Sequence, residues 1–158
     1  MCMKMQIRKE YFLLVVKENA EIFYRYAYSV LLNRQDAEDA VSETILKAFE
    51  HLNDLKHLHK MKSWMFQILA NNCKTMLSKK LPVSDAVDAH TDLPQNQEAY
   101  MDLHDCIYHM EPKFREVIIL FYFGDFKIRE IAKILNISEG TVKSRLSRAK
   151  DKLKKLFV

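Results

Sequence analysis

An all-α protein of two small helical domains is the fold class this sequence predicts, and three observations lead to it. Only Gly124 and Gly140 are glycine among 158 residues, too few for the tight turns of an all-β chain or for a Gly-rich phosphate-binding loop. From Tyr11 to Ser78 apolar residues return with helical periodicity and no Pro or Gly interrupts them. Pro82 and Pro94 then bracket a stretch rich in Asp, Ala, Gln and Asn with neither helical nor strand periodicity, and helical patterning resumes near Gln97. The expected organisation is a helical domain over residues 1–78, a flexible acidic linker over 79–97 and a second helical domain over 98–158.

Charge separates the same segments. The net charge of +4 is modest, so its distribution carries more information than its sum. No Lys or Arg lies between Leu81 and Pro112, where Asp85, Asp88, Asp92, Glu98, Asp102, Asp105 and Glu111 are all acidic. From Lys143 to Val158 seven basic residues face only Asp151. A solvated linker and a Lys-rich helix end account for this without any function.

The composition also excludes several classes. Cys2, Cys73 and Cys106 are odd in number and lack paired-ligand spacing, so neither a disulfide framework nor a zinc site is expected. His57 and His59, or His104, Cys106 and His109, do not supply four ligands at a familiar spacing. The apolar run Tyr11 to Val16 is too short to span a bilayer, and no small-residue cleavage site follows it. A cytoplasmic protein without metal, cofactor or small-molecule substrate is expected. No phosphate loop or nucleophile–base pair supports an enzyme.

Residues 36–52 predict an amphipathic helix whose inner stripe is Ala37, Ala40, Val41, Thr44, Ile45, Ala48, Phe49 and Leu52. Glu38, Asp39, Ser42 and Glu43 lie outside it. Asp39 and Glu43 are like charges one turn apart, an arrangement that costs an isolated helix about 0.2–0.5 kcal/mol and suggests a face meant for a basic partner. An acidic first turn favouring the helix dipole explains Asp36, Glu38 and Asp39, but not Glu43.

Residues 62–78 predict another amphipathic helix, with Met65, Ile68, Leu69 and Met76 facing inward. Ser63, Gln67, Asn71, Lys74 and Ser78 share the opposite side, and Trp64 flanks it. Hydrogen-bonding side chains beside a stacking platform suit a splayed single strand, although a lone Trp in such a helix is more often core.

Pro112 opens a third helical pattern, which continues as an apolar run to Phe123. Two helices then meet at a tight turn. Ile131, Ala132 and Leu135 form the inner face of the first, Asn136 tolerates the left-handed conformation of a sharp turn, and Ser138 is placed to cap the second. At 100° per residue Val142, Leu146, Ala149 and Leu153 fall on one buried face. The opposite face carries Gly140, Lys143, Ser144, Ser147 and Arg148, with Thr141 and Arg145 on its flanks. Short hydroxyls and long cations on one exposed face suit base edges and phosphates. A helix-turn-helix that reads DNA is the expectation.

The stretch 110–157, with Pro112 at its start, Arg115-Glu116-Val117, Glu130-Ile131-Ala132 and Gly140-Thr141-Val142, closely resembles region 4 of the extracytoplasmic-function (ECF) group of bacterial sigma factors. Residues 36–52 resemble region 2.2, and the Ser63-Trp64-Met65 segment resembles regions 2.3 and 2.4. The resemblance implies that Asp36, Glu38, Asp39, Ser42 and Glu43 meet core RNA polymerase. It further implies that Lys62, Ser63, Trp64, Gln67, Asn71 and Lys74 melt and read a promoter's −10 element, while Thr141, Lys143, Ser144, Arg145, Ser147 and Arg148 read the −35 element. Double-stranded and melted promoter DNA and an anti-sigma factor are the further partners it implies, with the acidic linker running through polymerase's basic channel. Four positions depart from the family pattern: Ser42 stands for Gln, Thr75 for Asp, Ser78 for Arg, and Lys127 for a capping Ser or Thr. The alternative is a self-sufficient helix-turn-helix regulator that uses its first domain to dimerise.

Overall fold

The computed structural model describes residues 2–80 and 103–157, and every described regular element is helical. The first domain is a bundle of three helices: α1 (Cys2–Leu31), α2 (Arg34–Glu50) and α3 (Met61–Lys80). Helix α1 stops where Leu32 takes a left-handed φ of 50°. Asn33 then starts α2 by accepting the Asp36 amide proton on its side-chain oxygen at 2.9 Å, as an N-cap should. Two 3-10 turns, Leu52–Asp54 and Leu58–Lys60, carry the chain to α3. Arg8 reaches back from α1 to donate to the Leu52 and Leu55 carbonyls at 3.2 and 2.7 Å, satisfying backbone that no helix pairs.

The bundle core is built from Phe12, Phe23, Tyr26, Met65, Phe66 and Leu69, all fully or nearly fully buried. Small Ala37, Ala40 and Ala48 let α2 approach its neighbours closely. A polar link crosses this core: Thr44 donates to the Ala40 carbonyl, Asn72 on α3 donates to Thr44 at 3.0 Å, and Lys47 donates to Asn72 at 2.8 Å.

Two expectations need correction or extension. Phe49, placed on the inner stripe by periodicity, is 48% exposed. The small contact face of α2 is narrow, so Phe49 sits at its edge with its ring 5.7 Å from that of Phe12. Helix α1 also begins well before Tyr11. The acidic stretch holding Asp85, Asp88, Asp92, Glu98 and Asp102 lies outside the described residues.

The second domain comprises α4 (Leu103–Tyr108), α5 (Pro112–Ile118), α6 (Ile128–Leu135) and α7 (Glu139–Phe157). Pro112 occupies the first turn of α5, where its missing N–H costs nothing. Helix α5 widens into a π turn over Ile119–Phe123 that ends at Gly124. A Cβ at Gly124 would lie 2.8 Å from both the Leu120 carbonyl oxygen and the Phe126 ring, so only glycine fits this close approach. Buried Arg115 donates to the Tyr108 and Met110 carbonyls at 3.0 and 2.9 Å and pins the end of α4 onto α5.

The two domains touch. Helix α3 packs along α6, and α1 packs along α5. Phe66 meets Phe126 edge to face at 4.9 Å across this contact.

Candidate nucleic-acid interface

Helix α7 is set by its turn. Asn136 adopts φ 55° and ψ 49°, and the Ile137 amide closes onto the Ala132 carbonyl at 3.0 Å. Ser138 accepts the Thr141 amide proton at 3.1 Å, which satisfies one of the four open donors at the helix start. At α6 the usual reciprocal cap is halved. Glu130 accepts the Lys127 amide proton at 3.3 Å, but an ammonium has no lone pair to return the bond.

Val142, Leu146 and Ala149 are buried and Leu153 packs partly against the same core. Lys143, Ser144, Ser147 and Arg148 are exposed, while Thr141 and Arg145 are half-buried on the flanks. All six expected −35 residues therefore share one helix side or its margins. Ser144 spends its hydroxyl on the Thr141 carbonyl at 3.1 Å, and Lys143 and Ser147 line a shallow groove with Phe121 and Lys150.

The α3 residues are arranged differently. Ser63, Trp64 and Gln67 line a cleft of about 590 Å³ whose other wall is Lys127, Arg129, Glu130 and Lys133 around α6. Trp64 is half-buried and also packs against the core. Lys62 donates to the Gly124 carbonyl at 2.5 Å and lies 4.6 Å from the Phe126 ring centre. Lys74 donates to the Leu135 carbonyl at 3.3 Å. Asn71 is exposed. The hydroxyls of Thr75 and Ser78, two of the departures from the family pattern, turn back onto their own helix at 3.0 and 2.8 Å.

On α2, Glu38, Asp39, Ser42 and Glu43 are exposed together. Each acid has a neighbour one turn away: Arg34 to Glu38 at 3.4 Å, Gln35 to Asp39 at 3.0 Å and Lys47 to Glu43 at 3.1 Å. These exposed pairs are worth little to folding, yet they relieve the like-charge repulsion. Asp36 stands apart, in an ion pair with Lys80 of α3.

Sequence reasoning missed Leu46, which is 63% exposed in the middle of this acidic face. The signal was present: at 100° per residue Leu46 falls between Ser42 and Glu43, outside the apolar stripe. It also missed Glu116. Burial pushes this carboxyl up, against the lowering effect of the Tyr26 hydroxyl, Lys74, Arg145 and Arg115. The neighbouring Cys73 thiol is pushed up to about 12, by burial first and by Glu116 second, so it is protonated and unreactive.

Among the described residues no group of three or more His, Cys, Asp or Glu is placed to hold a metal, and no helix is long and apolar enough to cross a membrane. Residues 15–81 match the Sigma-70 region 2 family and residues 100–153 match the Sigma-70, region 4 family. The chain is 32% identical over 150 residues to the RNA polymerase sigma factor SigV of Bacillus subtilis, a match spanning 92% of this chain and 90% of that protein. It is 31% identical over 143 residues to the ECF RNA polymerase sigma factor SigM of the same organism, spanning 85% and 87%. The solved structure of the sigma factor RpoE from Bartonella quintana, in complex with the anti-sigma factor NepR, superposes with a TM-score of 0.72 at 25% identity, covering 94% of this chain and 95% of that one.

Proposed function

Since the chain belongs to the ECF group of RNA polymerase sigma factors, we propose that it works in the cytoplasm as a promoter-selecting subunit with no catalytic step of its own. Residues 1–78 bind core polymerase and the melted −10 element, 98–158 bind the −35 duplex, and 79–97 connect them. Bond formation belongs to polymerase.

The observation that carries this reading is the outer face of α7. Lys143, Ser144, Ser147 and Arg148 are exposed directly opposite buried Val142, Leu146 and Ala149, so the helix presents cations and hydroxyls to a major groove while its apolar side holds the fold. On α2, exposed Asp39, Ser42 and Glu43 offer core polymerase an acidic surface complementary to basic helices. On α3, Trp64 supplies stacking, and Ser63, Gln67 and Asn71 supply hydrogen bonds to splayed bases, with Lys62 and Lys74 for phosphates. An anti-sigma partner is part of the same proposal, as the match to a sigma factor solved with its anti-sigma factor suggests.

The test is promoter-specific run-off transcription with purified core polymerase, compared with gel-shift in its absence. Transcripts that require both this chain and core enzyme are expected. Tight, specific duplex binding without core enzyme and no stimulated run-off would instead identify a self-sufficient regulator.

A further inference from the structure

We propose that the cleft between α3 and α6 is a binding site for a nucleoside polyphosphate, with its phosphates on the α6 side and its base against Trp64. The site is independent of the promoter reading: it stands whether or not α3 meets a DNA strand, and no chemical step is involved.

The α6 side of the cleft is cationic. Lys127, Arg129 and Lys133 line it, Lys60 joins them from the residue before α3, and Glu130 is the one acid among the lining residues. Glu130 turns its carboxylate to the start of its own helix, where it accepts the Lys127 amide proton at 3.3 Å. The four cations are exposed, and none of them forms an ion pair among the described residues. Elsewhere exposed cations find an acid one turn away, as Lys47 finds Glu43 and Arg34 finds Glu38. Like charges around a concave surface focus their field on the space they enclose and draw an anion into it. A single phosphate leaves most of this charge unmet, whereas a chain of phosphates reaches several of the four. Arg129 supplies a planar fork for two oxygens, and the lysines supply movable point charges.

The α3 wall itself is uncharged. Trp64 is half-buried and held by core packing, so its indole is a fixed platform, and stacking on it accepts any base. Gln67, one turn on, makes no side-chain hydrogen bond among the described residues, which leaves an amide donor and acceptor for a base edge. The cleft's volume of about 590 Å³ lies in the range of small-ligand sites, about 300–1,000 Å³.

Trp64 is the only tryptophan of the chain, so its emission, excited at the red edge where nucleotides absorb little, reports on the cleft directly. The full chain is titrated with adenosine triphosphate, with tripolyphosphate and with adenosine, by emission and by isothermal calorimetry. Expected are saturable one-to-one quenching by adenosine triphosphate, weaker binding of tripolyphosphate without that quenching, and no binding of adenosine over the same concentrations. Arg129→Gln with Lys133→Gln should weaken adenosine triphosphate by about tenfold or more, through loss of two charge-assisted bonds. Both side chains are exposed, so helicity should be unchanged, and Lys79→Gln, at an exposed lysine outside the cleft, should leave binding as in the parent.

No quenching and no heat with adenosine triphosphate would overturn the proposal. Equal weakening by Lys79→Gln would overturn it too, by reducing the effect to net charge. Tripolyphosphate that binds as tightly as adenosine triphosphate, with Trp64 emission unmoved by either, would remove the base from the site and overturn the nucleotide assignment. A last arm measures a short single-stranded oligonucleotide by anisotropy on the same variants. Strand binding that falls as far as nucleotide binding in the Arg129→Gln, Lys133→Gln chain would make these cations part of a DNA surface and overturn a separate site, whereas strand binding that holds while nucleotide binding falls supports it.

Discussion

Tyr26 of α1 donates its hydroxyl proton to the Glu116 carboxylate of α5 at 3.1 Å, joining residues from the two domains. Burial raises the pKa of both groups, and their mutual interaction raises Tyr26 further while the hydrogen bond partly restrains Glu116. The groups facing Glu116 are Tyr26, Cys73, Lys74, Arg115 and Arg145.

A pH dependence follows from Glu116. Its folded-state pKa lies above the unfolded value, so its contribution to stability is fully present when both states are protonated and is lost as pH rises through the raised value. Glu116→Gln keeps an oxygen for Tyr26 and removes the titration. Urea-unfolding midpoints measured between about pH 5 and 8 should be flatter for the variant, which should be at least as stable as the parent at the upper end. Parallel curves would mean that Glu116 does not titrate in this window.

Asn72 bridges α2 and α3 inside the first bundle, with Thr44 on one side and Lys47 on the other. Asn72→Ala should cost about 1–3 kcal/mol, because it strands buried polar groups and removes packing. A double-mutant cycle with Thr44→Val by chemical denaturation should show coupling of about 0.5 kcal/mol or more. Strict additivity would show that the short distance carries no energy.

The α2 face should separate binding from folding. Asp39→Lys or Glu43→Lys should weaken co-elution with core polymerase while helicity stays unchanged, since both side chains are exposed and their pairings contribute little. Leu46→Ser should weaken it too, because burying an exposed leucine in an interface is worth up to about 1.5–3 kcal/mol. Unchanged affinity in all three variants would remove this surface from the assembly.

On α7 two kinds of contact should be distinguishable by salt. Arg148→Ala, if the side chain reads a guanine, should cost about 1–3 kcal/mol and relax preference at one base pair. Lys143→Ala, if it meets phosphate, should weaken all sequences alike and reduce the salt slope by about one. Reconstituted holoenzyme on −35 variants across several salt concentrations provides the measurement. Preference and slope that survive alanine at Lys143, Ser144, Ser147 and Arg148 together would falsify this helix as the reader.

What the sequence determined by itself was local. Asn136 in the left-handed turn, Ser138 as a cap, Pro112 in the first turn of α5 and the buried line Val142, Leu146, Ala149 are all legible because caps, turns and helical periodicity act within a few residues. Phe49 shows where periodicity ends: a 100° rule ranks faces, but the width of the neighbour decides which edge residue is covered. Only the tertiary structure decided that Lys62 and Lys74 meet backbone carbonyls, that Arg115 is buried against the end of α4, and that Tyr26 meets Glu116. A long polar side chain on an isolated helix has water as its default partner. Which carbonyl or carboxylate replaces that water depends on another element's approach, and no spacing along one helix encodes it.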